Sequence, residues 1–254
     1  MINLVVFMLG LSIGSFVNAC VYRIPRGVSV ITPRSFCPSC KATLRWYELV
    51  PILSYLFLGR KCRSCGTAIS VCYLILEFTS GVIFLSLLNI YGMTTDLITA
   101  SAFSTLLLIV FLIDGEALLI PNGVVIIGIV IGVLLNLCFS FDHLLSSVGS
   151  ALFASLLMFL IRLGGNVLFR KETMGMGDVK VSALIGLFIG MQDFLLAVWA
   201  AAIAGCLYWL IRHFIMHSPK DIRLPFGSFL ALSSFVVFLF SDKINEVLLW
   251  WLTF

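Results

Sequence analysis

Eight apolar segments, at residues 2–20, 69–90, 97–113, 123–140, 144–161, 179–190, 194–211 and 225–241, take up most of this chain. Most are close to the ~20 residues that cross a bilayer as helix; the sixth is much shorter. A soluble domain cannot hide such a succession. With 61% hydrophobic and 11% charged residues in 254 positions, there is too little polar surface to cover it. The expected fold is an all-α polytopic membrane protein of about eight transmembrane helices. The first segment has no basic stretch before it and no A-x-A site after it, so it is expected to stay in the mature protein rather than act as a signal peptide.

The basic residues set the orientation. Arg23, Arg26, Arg34, Lys41, Arg45, Arg60, Lys61 and Arg63 lie between the first two segments. Arg162, Arg170, Lys171 and Lys180 flank the loop after the fifth, and Arg212, Lys220 and Arg223 follow the seventh. The connections near Asp96, Asp142 and Asp193 carry no Lys or Arg. The basic loops are therefore expected in the cytoplasm, with both termini on the periplasmic or extracellular side. The net charge of +4 is a topology signal, and no nucleic-acid partner is implied. Three parts are expected: a first transmembrane helix at 1–22, a cytoplasmic loop domain at 23–68 and a seven-helix membrane domain at 69–254. Because Lys180 and Arg212 must share a face, the apolar run between them is expected to turn back near Gln192 and Asp193.

That turn bears on the segment Gly175-Met176-Gly177-Asp178-Val179-Lys180. A helix from Val179 to Asp193 rises about 22 Å at ~1.5 Å per residue, against a hydrocarbon core of about 30 Å. Asp178 is then expected below the cytoplasmic headgroups, in a water-filled recess lined by the loop of Gly175 and Gly177. A turn followed by a solvated aspartate capping the next helix explains the same residues.

Asp114 ends the apolar run before Gly115, Glu116 and Pro121, so a second carboxylate is expected on the same membrane face. Two carboxylates within a few ångströms of one another cannot both ionise; one keeps its proton while the other acts as a base. Such a pair titrates jointly and can activate water for attack on a peptide carbonyl without a covalent intermediate. Glu116 is an adjacent acid that also reads as a solvated loop residue, and Asp96, Asp142 and Asp193 read as interfacial charges.

In the first basic loop, Cys37-Pro38-Ser39-Cys40 and Cys62-Arg63-Ser64-Cys65 form two C-x2-C pairs 21 residues apart. Two such knuckles can close on one tetrahedral metal, and four thiolates favour structural zinc; disulfides compete, but a reducing cytoplasm disfavours them. Cys20, Cys72, Cys138 and Cys206 read as small buried hydrophobes. Gly14, Ser15 and Asn18 form a small polar face suited to close helix packing, with substrate contact as the other reading. Glu77, two turns inside the second apolar segment, reads either as an anchor paired to Arg23 or as part of a polar substrate or cofactor pocket. Trp250 and Trp251 read as interfacial anchors.

Gly14-Ser15-Phe16-Val17-Asn18 with Arg23 and Pro25, the four loop cysteines, Glu48-Leu49-Val50-Pro51 with Leu53-Ser54-Tyr55, Asp114 ahead of Leu119-Ile120-Pro121, the Gly-Met-Gly-Asp-Val-Lys segment and Pro225-Phe226-Gly227 together resemble the type IV prepilin peptidases, the GxGD-type membrane aspartic proteases. The resemblance runs through nearly the whole chain. It implies that Asp114 and Asp178 are the catalytic pair, that Gly175, Gly177 and Lys180 belong to the active-site loop, and that Cys37, Cys40, Cys62 and Cys65 bind zinc. It implies a bacterial inner-membrane enzyme that removes the basic leader of prepilins or type II secretion pseudopilins on the cytoplasmic side. N-methylation of the new terminus from S-adenosylmethionine is implied as well, at a donor site that no G-x-G-x-x-G element locates. Where the family often has a second Asp after the Pro of the first aspartate motif, this chain has Asn122. A proton-coupled transporter or a zinc-stabilised membrane scaffold are the alternatives; the former usually shows internal repeats.

Overall fold

The computed structural model describes the backbone of residues 1–215 and 224–253, and their side chains except those of 242 and 244–253. Lys220, Arg223 and the side chains of Trp250 and Trp251 lie outside the described residues. Among those described, the long elements are all helices: α1 (Ile2–Arg23), the short α2 (Leu53–Phe57), α3 (Val71–Tyr91), α4 (Thr95–Ala117), α5 (Asn122–Phe139), α6 (Phe141–Phe169), α7 (Met176–Phe214) and α8 (Phe226–Thr253). Six of these, α1 and α3 to α7, are long and apolar enough to cross a membrane, and Phe226–Ser241 is a shorter apolar stretch. The segment between α1 and α3 is mostly irregular, and its β-type pairings among the described residues are two isolated bridges, Phe36 with Thr43 and Lys61 with Ala68. The chain forms two compact units, Met1–Thr105 and Leu106–Phe254.

In the first unit α1 and α3 run antiparallel, because glycines let their backbones meet. A Cβ on Gly10 would lie 2.9 Å from the Cα of Gly81, and one on Gly14 would lie 2.7 Å from the Cα of Glu77. Asn18 continues the seam one turn later by donating from Nδ2 to the Tyr73 carbonyl at 3.2 Å. The small face of α1 is thus a packing surface, as small residues allow where lipid supplies no hydrophobic drive. At the end of α1, Arg23 is buried and donates to the carbonyls of Ser29, Val30, Pro33 and Arg34 at 3.0–3.1 Å, which ties down the first turn of the following loop.

In the second unit α7 packs on α5, α6 and α8. Gly186 again marks the closest approach: a Cβ there would lie 2.7 Å from both the Ala154 Cβ and the Ser150 carbonyl oxygen of α6. Asn136 ties three helices together. Its Nδ2 donates to the carbonyls of Gly132 and Leu187, while its Oδ1 meets the Ser147 hydroxyl and the His143 ring.

Helix α7 is interrupted at Gly190, where φ is 79° and ψ is 175°. Contacts along α8 show that the chain reverses there. The Ser228 end of α8 lies beside Tyr208 through the Tyr208–Phe229 ring contact, whereas Ser241, far along α8, donates to Asp193 at 2.6 Å. The two expected short helices are therefore present, but the turn is at Gly190 and not at Gln192 and Asp193. Glycine takes a positive φ without a Cβ clash, while Gln192 and Asp193 already belong to the returning helix.

Candidate active site and metal centre

Asp114 lies in the last turn of α4 and Asp178 in the first turn of α7; both are buried, within one unit of the structure. Their charges act directly on one another. Asp114 is held from α8: the Ser228 backbone N–H donates to its Oδ2 at 2.7 Å, and the Ser228 hydroxyl lies 3.2 Å from the same oxygen. That hydroxyl also donates to the Phe111 carbonyl at 2.8 Å, so α4 and α8 are clamped at this level. Nothing along the chain joins Ser228 to Asp114. The only signal was the neighbouring Pro225-Phe226-Gly227 motif, whose glycine is explained by the same contact. A Cβ on Gly227 would lie 3.0 Å from Asp114 Oδ2 and 2.9 Å from Ile120 Cδ1.

Asp178 sits three residues after Gly175, the N-cap of α7, and its carboxylate takes backbone hydrogen bonds from Gly175 and from its own N–H. It therefore caps its helix and faces Asp114 at once; the two sequence readings are compatible. Gly177 is required by packing: a Cβ there would lie 2.9 Å from the Cβ of Ile120. Lys180 donates from Nζ to Asn122 Oδ1 at 2.9 Å, so Asn122, where the resemblance led us to expect an Asp, meets a cation. The loop before α7 is fastened to α6, with Arg162 Nε donating to the Met174 carbonyl at 3.0 Å and Thr173 donating from N and Oγ1 to Asn166 Oδ1. Glu116 is exposed in the last turn of α4.

The four loop cysteines form a separate site in the first unit. Their Sγ atoms all lie within 4.8 Å of one another, with Cys37 and Cys65 at 3.9 Å. A tetrahedral ion with metal–sulfur bonds of ~2.3 Å separates its sulfurs by about 3.8 Å, so the set can hold a metal ion. The two knuckles repeat each other with an offset of 25 residues. Cys37 N–H donates to Ala42 and Cys62 N–H to Thr67, Leu44 N–H to Ser35 and Ile69 N–H to Arg60, while Lys41 and Gly66 take the same positive φ. The charges suit a cation. Hydrogen bonds from Thr67 pull the Cys65 thiol down to about 6, and the Cys40 backbone N–H holds Cys37 below the ordinary thiol range. Cys40, despite a hydrogen bond from Ala42, is pushed up to about 11 by desolvation and by the other thiols, which leaves it holding a proton that a metal would displace.

Glu77 is not paired with Arg23. Arg23 spends its guanidinium on the loop carbonyls, and Glu77 Oε2 accepts from the Ile52 backbone N–H at 2.8 Å. Glu77 also lines a cavity with Ser15 and Asn18.

The model of the bacterial peptidase A24 N-terminal domain matches residues 8–91, and that of the type IV leader peptidase family matches residues 101–210. Among curated proteins, the prepilin leader peptidase/N-methyltransferase of Myxococcus xanthus is 38% identical over 136 residues, covering 54% of this chain and 41% of that protein. The Bacillus subtilis protein of the same name is 42% identical over 122 residues, covering 48% of this chain and 49% of its own length. The Klebsiella pneumoniae protein is 32% identical over 152 residues, covering 58% of this chain and 67% of its own length. The chain thus spans less than half the length of the first two relatives. No solved structure matches.

Proposed function

Because the chain belongs to the type IV leader peptidase family, we propose that it is a membrane aspartic endopeptidase whose catalytic pair is Asp114 and Asp178. The observation that carries this reading is the meeting of two buried carboxylates from separate helices, one of them fixed by two donors on Ser228. A carboxylate pair that shares a proton can take one proton from water as it attacks the scissile carbonyl and return another to the leaving amine. Ser228 keeps the Asp114 carboxylate in one orientation, and Gly177 lets the start of α7 pack on Ile120 so that Asp178 lies beside Asp114.

The substrates are prepilins or pseudopilins, cut between a basic leader and an apolar helix. The bilayer holds that helix, so the junction arrives at the depth of the dyad already oriented, and such positioning supplies a large part of a rate enhancement. The basic loops support a site at the cytoplasmic face, in a bacterial inner membrane. The four-cysteine set binds structural zinc, for which its spacing and thiolate character are suited. Relatives named as N-methyltransferases support a second activity that methylates the new N-terminus from S-adenosylmethionine.

The test is cleavage of a prepilin-like precursor by detergent-solubilised protein. Wild type is expected to release the leader, while Asp114→Asn and Asp178→Asn each lose the activity with unchanged thermal unfolding. Cleavage that survives either substitution would sink the dyad assignment.

A further inference from the structure

The loop that leads into α7 lies along the end of α6, and Arg162, Gly165 and Asn166, spaced i, i+3 and i+4 on one face of that helix, hold it there. Asn166 Oδ1 accepts from the Thr173 N–H at 2.9 Å and from its hydroxyl at 3.0 Å. Gly165 leaves the room for this, since a Cβ there would lie 2.5 Å from Thr173 Oγ1. Arg162 reaches closer to the dyad. Its Nε donates at 3.0 Å to the carbonyl of Met174, the residue before the N-cap of α7.

That carbonyl belongs to the same peptide group as the Gly175 N–H. The peptide is trans, so its C=O and N–H point in opposite directions in one plane. The N–H end meets the Asp178 carboxylate, in the way that an N3 side chain reaches back to the N-cap N–H at a helix start. The approach is close: a Cβ on Gly175 would lie 3.5 Å from Asp178 Oδ2. A guanidinium, one peptide group and a carboxylate therefore stand in series.

The side chain of Arg162 is 19% exposed, against 88% for Glu172, its ion-pair partner at 3.7 Å. Solvent screens Glu172 heavily, so the pair does not cancel the pull of the cation on the peptide. Hydrogen bonds in series polarise one another by ~10–30% per bond, and a charged donor makes a stronger bond than a neutral one. As the cation draws electrons toward the Met174 oxygen, the Gly175 hydrogen becomes the better donor. We infer that Arg162 is a positioning residue for Asp178: it fixes the Met174–Gly175 peptide and, through its charge, strengthens the hydrogen bond by which that peptide holds the Asp178 carboxylate toward Asp114. This role rests on the proposed dyad. It gives the two carboxylates matching supports, because Ser228 holds Asp114 from α8 and Arg162 holds Asp178 from α6.

Substitutions can separate the charge from the hydrogen bond. Glutamine carries Nε2 on Cδ, as arginine carries Nε, so Arg162→Gln keeps a neutral donor near the same place and loses the charge. Arg162→Lys keeps the charge on a donor one atom farther out. Asn166→Ala loosens the same loop and leaves the Met174–Gly175 peptide untouched. Steady-state cleavage of a prepilin-like precursor by the full-length chain in detergent is expected to show kcat lower by about tenfold or more in Arg162→Gln, with KM within about twofold of wild type. Arg162→Lys and Asn166→Ala are each expected within about threefold of wild-type kcat. Thermal unfolding reports that each variant keeps its fold. If Arg162→Gln does not fold, Arg162→Lys decides alone: kcat within about threefold supports the role and a loss of about tenfold overturns it. Wild-type kcat in Arg162→Gln, an effect confined to KM, or an equal loss in Arg162→Gln and in either Arg162→Lys or Asn166→Ala also overturns it. Asp178→Asn is assayed beside them. Its inactivity leaves the dyad standing even where Arg162→Gln cleaves as wild type, whereas cleavage by Asp178→Asn overturns the dyad and the role of Arg162 together.

Discussion

Gly227→Ala adds one methyl group where the structure has almost no room for it. The new carbon would lie 3.0 Å from Asp114 Oδ2, 3.1 Å from its Cγ and 2.9 Å from Ile120 Cδ1. Ile120 can yield, since Cδ1 is the free end of a flexible side chain. The carboxylate can yield only by moving a few tenths of an ångström, which stretches the 2.7 Å bond from the Ser228 N–H and spoils the 3.2 Å contact of its hydroxyl. A hydrogen bond to a charged group is worth a net ~1.5–3 kcal/mol, so losing one where it orients a catalytic group slows the reaction by roughly ten- to hundredfold. Stability is pushed the other way, because Ala in place of Gly favours a helix by up to about 1 kcal/mol. The expected result is therefore an enzyme that melts no lower than wild type and cleaves far more slowly. Single-turnover cleavage of a precursor, measured beside thermal unfolding, tests this. Gly149→Ala, whose Cβ would meet nothing within 4 Å, is the control expected to behave as wild type. Wild-type cleavage by Gly227→Ala would refute the claim that Ser228 and Gly227 set the working position of Asp114.

Removing the metal should act on the first unit. A strong chelator is expected to lower its unfolding temperature and release about one zinc per chain, faster as the pH falls and protons compete with the metal for the thiolates; purified protein containing no zinc and four reactive loop thiols would count against the site. Asn122→Asp places a carboxylate opposite Lys180, whose Nζ is 2.9 Å from the present amide oxygen. An exposed pair is worth ~0–1 kcal/mol, so cleavage should stay within about fivefold of wild type, and abolished activity would mean that a second acid in this segment interferes with Asp114.

Much of this was legible in the chain because lipid imposes simple rules. Segment length and apolarity announced the helices, the placement of Lys and Arg required a reversal inside the run of α7, and C-x2-C spacing brought four sulfurs together. What stayed hidden depended on three-dimensional contact. Ser228 follows Asp114 by 114 positions and is one of many serines, so nothing local marked it as that residue's clamp. The reversal was misplaced by two residues because Asp193 looked like a polar turn, whereas backbone freedom chose Gly190 and left Asp193 to accept from Ser241. Glu77 was seen as costly, but its partner was a strained backbone N–H at Ile52, and backbone donors leave no trace in side-chain patterns. The 25-residue repeat of the knuckles is faint in sequence, since only Cys and Ser39/Ser64 coincide in the core of the motif; their shared hydrogen bonds reveal it.

On the proposed role of Asp178, the break at Gly190 makes the surrounding lipid bear on catalysis. From Met176 to Gly190 the helix has a reach of about 21 Å, several ångströms less than an ordinary hydrocarbon slab. Such hydrophobic mismatch is relieved by thinning the bilayer nearby or by sinking the shorter element, at fractions of a kcal/mol per ångström. The vertical position of Asp178 is then set jointly by protein and acyl chains. Lengthening those chains moves the carboxylate relative to the headgroups while leaving every protein contact intact, so the lipid chosen for reconstitution fixes how far a substrate helix must shift or fray to be cut.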